Sequence, residues 1–239
     1  MELIEKVITA VIIVLIIFLI IRYATSSSSI ISKCALGTTS KTISSKDLEN
    51  LGFDQGGSNY SYSIWFYVSN WSDQLNKNKT LLVREGSGGM DANPNIYLTP
   101  YENNINITVM SNPLSGTDPT NITNTCTVKN FPLQAWVHLM VSMSDRVMDI
   151  YLDGKLVRTC IIKTPPVQNI NAPLYITPNG GFTGWTSNIQ YWPTAYNPQE
   201  VFNIYAQGPK CQLVGQSFDK YKLRISYLVN NQEQNYVEI

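Results

Sequence analysis

The sequence predicts an all-β fold, an antiparallel two-sheet sandwich, preceded by one N-terminal transmembrane helix. Three observations predict it. An apolar run that no charge interrupts lies near the N-terminus. From Tyr60 onward about nine short strand-like runs are punctuated by Gly, Pro and Asn, the spacing of a sandwich. Helical periodicity is nearly absent from that same stretch.

From Val7 to Ile21 every residue except Thr9 and Ala10 is a large apolar one. A helix over that run reaches about 22 Å, short of a hydrocarbon core of about 30 Å. Adding Leu3, Ile4, Tyr23 and Ala24 lengthens it to about 22 residues, enough to span. Lys6 and Arg22 then snorkel to opposite head-group layers, with Tyr23 at one interface. A cleaved signal peptide is the rival reading. The segment MELIEK lacks excess positive charge, and RYATSSSS offers no small-x-small cleavage site. The expected organisation is a membrane anchor over 1–24, a polar tether and arm over 25–58, the sandwich over 59–211 and a C-terminal strand extension over 212–239. Lys6 before the span and Arg22, Lys33 and Lys41 after it place the domain on the cytosolic side by the positive-inside rule. The cysteines and glycosylation sequons point to the other side.

The strands follow in order. Tyr62, Ile64, Phe66 and Val68 alternate with Ser61, Ser63, Trp65 and Tyr67. Short runs come next at Leu81–Arg84, Asn95–Thr99 and Ile105–Met110, then Ala135–Ser144 and Val147–Leu152. Asp153-Gly154 is a two-residue hairpin turn into Lys155–Ile161. Leu174–Thr177 and Ser187–Trp192 complete the set. Lys46–Phe53 and Pro198–Tyr205 read as short helical turns. Beyond Gly208-Pro209, the residues Tyr221, Leu223, Ile225, Tyr227 and Val229 mark one amphipathic strand. It is expected to add to an edge of its own sandwich or to a neighbouring subunit.

Seventeen basic and seventeen acidic residues cancel, so no basic field favours nucleic acid. The four cysteines lie outside the apolar run and allow three connectivities. The expected pairs are Cys126–Cys160, joining two strand ends, and Cys34–Cys211, tying the start of the domain to its end. Five sequons, at Asn59, Asn70, Asn78, Asn106 and Asn121, support an external domain weakly, because an Asn/Ser/Thr-rich chain produces them by chance.

Catalysis is not expected. His138 falls within a strand and no nucleophile elbow is present. Asp145, Asp149 and Asp153 cluster, but Asp153 is taken up by the hairpin turn, Asp145 lies next to another turn, and the closely spaced acids on one strand of sandwich glucanases are not matched. No Cys/His spacing suits zinc. Asp91 and Asn93 in Gly86–Asn95 are residue types that calcium accepts, but a plain loop has the same composition. No metal or cofactor is expected. Trp71, Tyr101, Trp185 and Tyr191 are candidate exposed aromatics, with Trp71 and Trp185 the preferred positions for stacking on glycans.

The stretch Phe131–Cys160 resembles the laminin-G-like, concanavalin A-like jelly-roll superfamily. Trp136, His138, Asp149, Tyr151, Asp153, Gly154, Lys155 and Leu156 carry its W-x-H and D-x-Y-x-D-G-K-L wording. Upstream YSYSIWFYVSNW and downstream GFTGWTSNIQYW are similar to its early and closing core strands, so the resemblance covers about Tyr60–Pro209. It implies a jelly roll but no particular activity. The paired acidic rim ligands of its calcium-binding branch are missing. The anchor, tether and jelly roll together resemble minor capsid or virion membrane proteins of nucleocytoplasmic large DNA viruses. That resemblance implies a non-enzymatic structural protein in the internal membrane, its jelly roll facing capsid proteins. Such viruses commonly encode thiol oxidases, which would allow disulfides in a cytosol-facing domain. The alternative is a membrane-displayed, lectin-like glycan receptor. In either case the tether supplies reach, since about 20 extended residues cover up to roughly 65 Å.

Overall fold

Alternation in the longest strand sets which of its side chains turn into the space between two sheets. In chain order the elements are β1 (Ile30–Ser32), β2 (Ala35–Leu36), β3 (Lys41–Ile43), α1 (Ser45–Asn50), β4 (Tyr60–Asn70), β5 (Lys79–Arg84), β6 (Asn95–Leu98) and β7 (Ile105–Ser111). Then come β8 (Ile122–Val128), β9 (Trp136–Ser144), β10 (Val147–Leu152), β11 (Lys155–Ile161), β12 (Leu174–Ile176), β13 (Thr183–Trp192), α2 (Pro198–Tyr205), β14 (Arg224–Val229) and β15 (Gln232–Glu238). This computed structural model describes residues 13, 16–17, 30–50, 58–85, 92–113, 122–167, 171–211, 224–229 and 232–238.

One sheet has seven strands in the order β1-β13-β4-β9-β10-β11, with β2 also paired to β13. The other has six, β3-β12-β5-β6-β7-β8. All pairings are antiparallel. Tyr60, Tyr62, Ile64, Phe66 and Val68 of β4 point between the sheets, against Leu98, Ile105, Ile107 and Val109 of the second sheet. Burial of such side chains, at roughly 25 cal/mol per Å² of apolar surface, is the main drive for closing the sandwich. The outer face of β4 is covered as well. There Met140, Tyr151, Trp192 and Val201 form a second small core beneath α2. Asn197 caps α2 through a reciprocal capping box with Glu200.

Register defines two ends. Ile30 pairs with Gln190, whereas Leu36 pairs with Trp185, so the chain joins the sandwich beside the C-terminal end of β13. We term this the near end. The row through Gln190 continues across the sheet as Ser63, Met140, Tyr151 and Leu156. Beyond it toward the near end lie the Asp145-Arg146 turn and the cross-strand pair Val147–Ile161. At the far end, Leu36, Trp185, Tyr67 and Trp136 make one row over four neighbouring strands.

Several expectations change. Residues 30–43, read as part of a tether, build β1, β2 and β3 at the sheet edges, strands too short and polar to show alternation, while α1 lies where a helical turn was expected over Lys46–Phe53. Strand β8 also lacks a sequence signature, because Thr123, Thr125 and Thr127 face outward between sparse apolar residues. The C-terminal strand adds to neither sheet among the described residues. Instead β14 pairs with β15 as a separate hairpin. The anchor over 1–24 lies outside the described residues apart from Ile13, Ile16 and Ile17, which are helical and about half exposed. Among the described residues no helix is long and apolar enough to cross a membrane.

Candidate functional site

The W-x-H and D-G motifs prove to be one structural unit. Asp153 and Gly154 both adopt positive φ, 47° and 74°, as a tight two-residue hairpin requires. A Cβ on Gly154 would stand 3.0 Å from the Tyr205 ring of α2. The Asp153 carboxylate accepts a hydrogen bond from the His138 backbone N–H at 2.9 Å, and the Asp153 N–H donates to the His138 carbonyl. The His138 ring is fully buried, with its Nε2 2.8 Å from Ser63 Oγ. Its centroid lies 5.0 Å from Trp65 and 5.9 Å from Tyr205, and Trp65 stacks on Tyr205 at 5.5 Å. Burial pushes the His138 pKa down from 6.5 to about 4, which keeps the imidazole neutral. Asp149 accepts from Thr159, while Asp145 forms an ion pair with Arg146. Asp145 and Asp153 flank opposite ends of β10.

The far end gathers apolar groups from separate parts of the sequence. Tyr67 packs between Trp136 and Trp185 with centroids 5.8 and 5.7 Å away, and both tryptophans are half-buried. Leu36 of β2 is exposed beside its cross-strand partner Trp185, and Leu75, Tyr101 and Leu133 are exposed on loops at the same end of the sandwich, Tyr101 by 70 %. Trp71, half-buried, sets its edge on Phe131 and carries the Lys79 ammonium 4.3 Å from its ring centroid. One face of Trp71 is therefore occupied by a cation. Burial lowers the Lys79 pKa, and its Nζ donates to the Pro100 carbonyl. The positions that sequence alone missed are Trp136 as a partner of Trp185, and the exposed Leu36, Leu75 and Leu133.

Tyr191 does not belong with them. It lies buried between the sheets, against Tyr62 and hydrogen-bonded to Arg84. The cause is a bulge between Ser187 and Gln190, where Asn188 has φ of 47°. The bulge reverses the facing of the remaining β13 residues, so Trp185 and Trp192 look outward while Tyr191 looks inward. Arg84 also hydrogen-bonds Tyr62, and burial raises the Tyr60 and Tyr62 hydroxyls above their ordinary range. Tyr60 donates to Asn93, whose amide donates to the Val167 carbonyl, so Asn93 serves the core. Asp91, the other calcium candidate, lies outside the described residues, and no cluster suited to a metal exists among those described.

Both cysteine pairs are closed. Cys126–Cys160 joins β8 to β11, the edges of opposite sheets, and Arg158 donates to the Thr127 carbonyl beside it. Cys34–Cys211 ties the β1–β2 connection to the segment after α2. Among the sequons Asn59, Asn70 and Asn78 are exposed, Asn106 is held on the outer sheet face by Tyr97 and Thr127, and Asn121 lies outside the described residues.

Comparison with known proteins matches residues 37–202 to the concanavalin A-like lectin/glucanases superfamily. Adhesion G-protein coupled receptor V1 of Danio rerio is 24% identical over 164 residues, 65% of this chain and 2% of the receptor. The binding domain of botulinum neurotoxin serotype G is 14% identical, with a TM-score of 0.48, covering 62% of this chain and 36% of that one. The serotype D binding domain is 12% identical, with a TM-score of 0.49 and the same coverages. This chain thus spans a small part of each of these proteins. The match over 37–202 runs from the Gly37 turn through every strand of both sheets but β1 and β2 and on into α2. On that stretch the chain belongs to the concanavalin A-like lectin/glucanases superfamily.

Proposed function

We propose that this chain is a membrane-tethered, non-enzymatic structural binding protein, with a bilayer at the near end of its sandwich and a protein layer at the far end. In the virion setting that the sequence resembles, the bilayer is the internal membrane and the layer is capsid protein. The observation that carries this reading is the placement of exposed Leu36, Leu75, Tyr101 and Leu133 opposite the end where residue 30 joins the sheet. Apolar groups grouped at one end are what a partner surface would desolvate. The non-enzymatic part is supported by the roles His138, Asp149 and Asp153 take within the fold. The half-exposed helical Ile13, Ile16 and Ile17 accord with a lipid-facing helix.

A second reading, a glycan receptor, is favoured by one observation. Tyr101 stands clear of the surface, and Trp136 and Trp185 are half-exposed on the sheet face. A photo-crosslinking residue at Leu133 in purified particles separates the two. A crosslink to the major capsid protein is the expected result, and absence of the chain from particles overturns the virion setting. Glycan-array binding abolished by Tyr101→Ala with Trp185→Ala would establish the second reading instead.

A further inference from the structure

We infer that the sandwich itself rests on the lipid head groups, through the near-end corner formed by Arg146, Val147, Ile161 and Lys163. This rests on the reading of residues 1–24 as a membrane anchor. Residues 25–29 alone separate that anchor from Ile30, the first residue of β1. Five extended residues reach at most about 18 Å, so the near end stays close to the bilayer. The tether read from sequence would have held it much farther away.

The corner has the chemistry of an interfacial contact. Ile161 is 77 % exposed and its cross-strand partner Val147 is 38 % exposed. Two β-branched apolar side chains side by side on an outer sheet face leave apolar surface in water that folding does not cover. Arg146 precedes one and Lys163 follows the other, and the Ile162 N–H donates to the Arg146 carbonyl, drawing the two segments together. Both cations are exposed, and Asp145 pairs with Arg146 at 3.8 Å. Apolar groups flanked by long cations suit the boundary between phosphates and acyl chains. The corner lies on β11, five strands from β1. At about 4.8 Å per strand the two contacts stand roughly 24 Å apart. An anchor at one edge and a rest at the other fix the tilt of the domain and direct its far end away from the membrane.

The test uses the full chain in phosphatidylcholine–phosphatidylserine vesicles, with benzoylphenylalanine in place of Ile161 or, as a control, of Tyr101. Irradiation followed by mass spectrometry is expected to give a lipid adduct at position 161, several-fold above that at position 101. Equal adducts at both positions, or none at 161, overturn the inference while the anchor stands, provided the chain resists carbonate extraction. A crosslink from 161 to a second copy in place of lipid also overturns it and marks the corner as a self-association surface. A chain released by carbonate overturns the anchor reading and this inference together.

Discussion

His138 shows how one buried side chain couples a turn, a sheet and a helix. Its backbone is capped by Asp153, its Nε2 meets Ser63, and its ring lies beneath Trp65 and Tyr205, while Nδ1 has no hydrogen-bond partner. A histidine whose folded pKa is depressed binds its proton more readily in the unfolded chain. Its effect on stability is therefore absent above about pH 6.5, grows as pH falls below that, and levels off near the folded value of about 4. A gap of that size corresponds to about 3 kcal/mol at its full extent. We predict that His138→Gln flattens the acid limb of unfolding free energy between these two pH values. Denaturant titrations of wild type and variant across that range measure it, and parallel limbs would rule it out. The residue was legible in sequence as a strand position. Its depressed pKa was not, because the rings that bury it come from β4 and α2.

At the scale of elements, edges decide more than centres. Alternation in β4, and the Asp153-Gly154 turn between β10 and β11, were readable because each strand has its own apolar face and the turn has its own chemistry. The edge elements β1, β2, β3 and β8 were not, since a strand with one neighbour needs little apolar patterning. The Cys126–Cys160 disulfide closes one of these weak sides by linking β8 to β11. It encloses a segment with a sequence separation of 34. Chain entropy gives such a loop about 4 kcal/mol of stabilisation. Guanidinium unfolding of Cys126→Ala/Cys160→Ala should show a loss of that order relative to oxidised wild type. The remaining reductant sensitivity of the variant should come from Cys34–Cys211. A loss well under 1 kcal/mol would mean that β8 and β11 hold together without the bond.

For the whole molecule, the two ends of the sandwich carry the functional reading. Exposed Leu75 and Leu133 contribute little to the core, so Leu75→Ser with Leu133→Ser should leave the melting temperature within a few degrees of wild type. The same variant should remain in the membrane fraction and lose its far-end crosslinks. Thermal melting and fractionation check the pair of outcomes together. A large drop in melting temperature would assign these leucines to folding instead of binding.

By itself the sequence determined the apolar N-terminal run, the β-sandwich class and the cysteines available for pairing. These rest on local composition, on alternation with a period of two, and on the positions of four residues. Which aromatics share a surface depends on the tertiary structure. Leu36, Trp185, Tyr67 and Trp136 are brought into one row by strand register between segments far apart in the chain, and a single bulge in β13 turns Tyr191 to the other face. Local patterning records whether a side chain is buried, but pairing between distant strands sets where it goes. That is why the fold was legible in the sequence and the two ends of the molecule were not.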